Sequence, residues 1–226
     1  MHFYKRGKGR KESLSAEEEK YIKFTAYDAL IEFDANQLPV FPEFIQIIDS
    51  TIFIFPMQFV ARKEGHHEGY FSTGGKGVVI YVRNTGHYII LYDEQLTPEE
   101  IRWTISKLLY LIKSGDLENR PNVFHYADKG ERIAHCNSFA YQFTCPDVVL
   151  KSCGIQEADE IIQYCKIPFT HANIKSRLLK MATNSKSLQF AEKILKKSFS
   201  AYISRIQQNT GTISKMECSE CNRELE

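Results

Sequence analysis

The chain has 226 residues, a formal net charge of +1 and an ordinary soluble-protein balance of 43% hydrophobic and 25% charged residues. Near-neutral charge argues against direct nucleic-acid binding by bulk electrostatics, and the longest largely apolar run, Ile52 to Phe59, is too short to span a bilayer. Six cysteines, mostly scattered, fit reduced thiols in a cytoplasmic protein.

In chain order, residues 1–13 carry Lys5, Arg6, Lys8, Arg10 and Lys11 and are expected to form a basic flexible arm. Ser15 followed by Glu18 is a capping-box signal, and Tyr21, Phe24, Ala26, Leu30 and Ile31 supply an apolar helical stripe. Pro42 to Ile48 reads as a second short helix. Strands are expected at Ile52–Phe55 and Phe59–Ala61, separated by Pro56, with Tyr70-Phe71 as a third short strand. Gly65-His66-His67-Glu68-Gly69 and Thr73 to Gly77 are turns. Val78–Val82 and Tyr88–Tyr92, joined by Arg83–His87, are the strongest strand signals, and together these segments suggest an antiparallel meander.

From Thr97 the pattern turns helical. Thr97 suits the N-cap, Pro98 the first helical position and Glu100 the capping box, while Ile101, Ile105, Leu108 and Ile112 mark a core face. Gly115 ends this helix. The segment Arg132 to Phe143 forms the next, stopped before Pro146. Asp159–Cys165 and His171–Met181 follow, and Asn184 to Ile203 is an amphipathic last helix with Leu188, Ala191, Leu195, Phe199 and Tyr202 on one side. This gives an arm at 1–13, a domain at 14–182, a C-terminal helix at 183–206 and a flexible tail at 207–226.

The ordered set of motifs resembles the ImmA/IrrE-type zinc metallopeptidases over roughly residues 20 to 180. Leu38-Pro39-Val40 looks like the family's L-P-V, and Arg102-Trp103-Thr104-Ile105-Ser106 looks like the R-F-T-L-A that leads into H-E-x-x-H. Asn137-Ser138-Phe139-Ala140 is similar to the second-helix motif, and Thr170 to Leu178 to the closing helix with its arginine. The fold that the resemblance implies is α+β, a small antiparallel or mixed sheet packed on a zincin-like helical core with an extra C-terminal helix.

The H-E-x-x-H positions read Lys107-Leu108-Leu109-Tyr110-Leu111, and the third-ligand position falls at His135. Two histidines four apart share a helix face and grip one zinc, with the glutamate beside the metal's water. Lys107 has no lone pair when protonated, Leu108 is no general base, and Leu111 offers no donor. The resemblance therefore implies a degenerate member with no catalytic set. It would act by binding a protein partner, such as a helix-turn-helix repressor of a phage, mobile element or stress response.

Two alternatives stay open. His135 with His66 or His67 would rebuild a metal site in a working hydrolase; the plainer reading makes His135 a core histidine and the other two a solvated turn. Cys218-Ser219-Glu220-Cys221 is half of a four-cysteine zinc knuckle, to be weighed against an unliganded tail. Apart from zinc at that pair, no cofactor is expected. His87, His125 and His171 have no partner at ligand spacing and read as loop or surface residues.

Overall fold

A computed structural model describes residues 14–71, 75–126, 128, 132–181 and 189–209. The basic arm, the Thr73-Gly74 turn, Leu188 and the Cys218/Cys221 pair lie outside the described residues. Among the described residues, no helix is long and apolar enough to cross a membrane.

The architecture is α+β: a small four-stranded mixed sheet lies against a helical core. Helix α1 (Ala16–Glu32) starts where the capping box predicts, with the Glu18 amide donating to Ser15 Oγ at 3.2 Å and the Ser15 amide to Glu18 Oε2 at 2.8 Å. Of the expected stripe, Ala26 and Leu30 are buried and Ile31 packs against the core, whereas Tyr21 and Phe24 face outward and Ile22 and Tyr27 take the buried places. A 3-10 turn (Pro42–Phe44) and α2 (Ile45–Ile48) lead to β1 (Ile52–Pro56).

The expected strand at Phe59–Ala61 is instead part of α3 (Met57–Lys63). Pro56 sits at the N-cap with extended backbone, where its missing N–H costs nothing, and Met57 and Ala61 bury one helical face. Tyr70-Phe71 is a turn and not a strand. Strands β2 (Gly77–Val82) and β3 (His87–Tyr92) form the expected antiparallel hairpin. The meander fails at β1, which pairs with β3 in parallel, Ile52 opposite Tyr88 and Phe55 opposite Leu91.

Helix α4 (Pro98–Lys113) is the centre of the fold, buried at every position from Arg102 to Ile112. Its capping box is formed as expected, the Glu100 amide donating to Thr97 Oγ1 and the Thr97 amide to Glu100 Oε2, both at 3.3 Å. One face lies against the sheet at Gly77, where a Cβ would stand 2.4 Å from Thr104 Cγ2 and 2.9 Å from Leu108 Cδ1. Only glycine permits this approach. The short α5 (Asp116–Asn119) and β4 (His125–Tyr126) follow, β4 adding to the β2 edge for a strand order β1-β3-β2-β4.

The other face of α4 packs on α6 (Ile133–Thr144), which also packs on α1. Pro146 stops α6 but also opens α7 (Asp147–Cys153), again from the N-cap. Helices α8 (Ala158–Cys165) and α9 (Phe169–Met181) pair, and α10 (Gln189–Ser198) packs on α1 and α7. Helical residues 200–209 carry the last helix past the expected end at 206, and Gln207 Nε2 donates to the Ser152 carbonyl at 2.8 Å. Ala191, Leu195, Phe199 and Tyr202 are buried, as their spacing predicts.

A buried polar knot ties five of these helices. Lys175 of α9 is 0% exposed; its ammonium donates to Asp147 Oδ1 at 2.5 Å and to the Tyr141 carbonyl at 3.3 Å. Lys23 of α1 reaches Asp147 Oδ2 at 3.0 Å and Glu192 of α10 at 3.2 Å, and Gln142 adds a third bond to Asp147. Burial alone would raise the Asp147 pKa, but the two ammonium groups hold it far below the usual carboxylate range.

Candidate functional site

Residues four apart on a helix share a face, so α4 presents Trp103 and Lys107 side by side, with Thr104 next to them. Together with Ile133 and Asn137 of α6 and Thr170 and His171 of α9, they line a cleft of about 300 Å³. Lys76 before β2, Glu100 and Asp128 complete its rim.

Lys107 is only 5% exposed, and its ammonium is ion-paired to Asp128. Lys76 is paired with Glu100 at 2.7 Å, and this bond, with the Thr97 cap, lowers the Glu100 pKa. The two cations of the cleft thus each face a carboxylate.

Opposite them stands an aromatic stack. The His171 ring lies on the Trp103 indole, centroids 3.9 Å apart and planes 17° from parallel. The Tyr141 hydroxyl is 3.1 Å from His171 Nδ1. Burial pushes the Tyr141 pKa up, so the phenol keeps its proton and can donate it to an unprotonated Nδ1. Burial, reinforced by the nearby Lys107 charge, pushes the His171 pKa down to about 4. The imidazole is therefore neutral near pH 7, and in the tautomer with Nδ1 accepting, its hydrogen sits on Nε2.

The positions read from the sequence separate here. Lys107 lines the cleft; Leu108 and Leu111 do not, being 0% and 6% exposed in the hydrophobic core. Leu108 faces the sheet at Gly77 because one residue along a helix turns the side chain by about 100°. His135 is not in the cleft either: its Nε2 is 3.4 Å from Glu18 Oε1, its ring stacks on Tyr110 at 6.0 Å, and Nδ1 is buried without a hydrogen-bond partner. His66 stacks on Tyr70 at 4.0 Å, and Tyr70 also meets His67 edge-on. Among the described residues, no group of three or more His, Cys, Asp or Glu side chains is placed to hold a metal ion.

His171 is the principal correction. Expected at the surface, it is half-buried in the cleft wall. Trp103 and His171 are 68 positions apart, so no local pattern announces their stack. The shared face of Trp103 and Lys107 was the one available signal. Asn137 and Thr170 stand in the two helix motifs of the resemblance, and Asp128 has no signal in the sequence.

No protein-family model and no curated protein matches this sequence.

Proposed function

We propose that the chain is a catalytically degenerate relative of the ImmA/IrrE-type peptidases, acting as a regulator that binds a segment of a protein partner in the cleft beside α4. The partner in this reading is a repressor of a phage, mobile element or stress response. The observation that carries it is Lys107: a buried ammonium, paired with Asp128, lines the cleft, and in the resemblance read from the sequence this residue falls at the family's first zinc-ligand position. An ammonium cannot ligate, and its charge opposes a divalent cation nearby. What remains of the site is a slot with polar groups and one aromatic stack, which suits recognition. A cleft of about 300 Å³ takes a few side chains of a partner and not a folded domain.

The experiment is metal analysis of purified protein in which Cys218 and Cys221 are replaced by Ser, joined to a pull-down and cleavage assay with helix-turn-helix repressors, beginning with any encoded beside the gene. Binding without cleavage, and no stoichiometric zinc, is the expected result. Zinc that disappears on His135→Ala, or metal-dependent cleavage, overturns the proposal.

A further inference from the structure

The donors of the cleft point to a ligand chemistry. Lys107 brings an ammonium with three N–H bonds, of which the pair with Asp128 uses one. His171, in the tautomer whose Nδ1 accepts from Tyr141, brings an Nε2–H without a hydrogen-bond partner among the described residues, on a ring fixed between Trp103 and the Tyr141 hydroxyl. The Asn137 side-chain amide also lines the cleft with no partner among the described residues. Three helices, α4, α6 and α9, thus each direct a donor group to one cavity.

Asp128 shows what such a set accepts. Its carboxylate is already held by Lys107, and Oδ2 lies on the side of Gly75, 3.7 Å from where a Cβ would stand. Charge-assisted bonds from ammonium to carboxylate are the strong ones, and a neutral imidazole N–H and an amide N–H add to them without bringing a second cation. The cleft is charge-balanced as it stands, Lys76 being taken by Glu100. A ligand carboxylate must therefore compete with Asp128 for Lys107.

From this we infer that the cleft is a carboxylate-recognition site, bounded by Lys107, Asn137 and His171, with Asp128 as a built-in competitor; the inference rests on the proposed reading of the cleft as a segment-binding slot. The carboxylate can come from an acidic side chain or from the end of a chain, and the chemistry of the donors is the same for both.

The protein supplies its own reporter, since Trp103 is the sole tryptophan and forms the cleft wall. Three blocked pentapeptides are titrated into the full chain at pH 7: one with a central glutamate, one with a central glutamine, and one of glycines with a free C-terminal carboxylate. Saturable change of the tryptophan emission is expected with the glutamate or the free-terminus peptide, whichever source is used, at an affinity roughly tenfold above the glutamine peptide. Asp128→Asn, which removes the competitor, should tighten carboxylate binding several-fold. Lys107→Met should abolish the difference between glutamate and glutamine. Equal response to glutamate, glutamine and free-terminus peptides overturns the carboxylate assignment but leaves the segment-binding reading in place. No response to any peptide, in the wild type and in Asp128→Asn, overturns both.

Discussion

The Tyr141 hydroxyl positions His171: it lies 3.1 Å from Nδ1, and the Trp103 ring is stacked at 3.9 Å on the same imidazole. The same residue is held from behind, because the buried Lys175 ammonium donates to the Tyr141 carbonyl at 3.3 Å. The cleft is therefore supported from behind by the polar knot around Asp147.

The first prediction concerns pH. His171 has its pKa lowered from 6.5 to about 4 in the fold, so the unfolded chain takes the proton first. Stability should fall as pH drops from 6.5 toward 4 and show no further contribution from this group below that. Trp103 emission should titrate with a midpoint of about 4, since an imidazolium against the indole quenches it. His171→Gln should remove both effects, and a midpoint near 6.5 would contradict the packing described.

The second concerns the knot. Asp147→Ala leaves Lys175 fully buried with only a carbonyl partner, and should cost about 3–5 kcal/mol in denaturant unfolding. The double variant Asp147→Ala/Lys175→Met, which buries no unpaired charge, should recover most of it. Because the Asp147 pKa is depressed, its stabilisation is complete above the ordinary carboxylate value and is lost as pH falls below about 4.

A third test addresses the contact between sheet and helix. Gly77→Ala places a methyl 2.4 Å from Thr104 Cγ2, and should destabilise by about 1–3 kcal/mol. Thr104→Ser removes that methyl and should relieve part of the penalty, leaving the 2.9 Å approach to Leu108 Cδ1. Thermal unfolding of the single and double variants measures the coupling.

Leu108 separates stability from the cleft. Leu108→Ala should cost about 2–5 kcal/mol, as expected of a fully buried leucine. It should leave the acid titration of Trp103 unchanged, because Leu108 faces the sheet and not the cavity.

What the sequence made legible was what depends on near neighbours. Both capping boxes, at Ser15/Glu18 and Thr97/Glu100, and the β2–β3 hairpin follow from residues a few positions apart. Phe59–Ala61 was ambiguous because a three-residue apolar run has no period to read. Pro146 was read as a stop when proline at an N-cap is equally a start. Nothing local marks Asp147, since Lys175 and Lys23 reach it only through the tertiary fold. The cleft failed for the same reason: Trp103 and Lys107 are one helix turn apart and shared a readable face, but Asp128, Asn137 and His171 are brought to them by packing alone.

The parallel pairing of β1 with β3 sets an order of events during synthesis. Ile52–Pro56 leaves the ribosome about thirty residues ahead of the strand that completes its hydrogen bonding. The hairpin of β2 and β3 closes over a four-residue connection and can form alone, whereas β1 has no seat until Tyr92 has emerged. Until then the apolar segment Ile52-Phe53-Ile54-Phe55 has unsatisfied backbone on both sides, and it is the stretch of this chain that a chaperone would have most reason to hold.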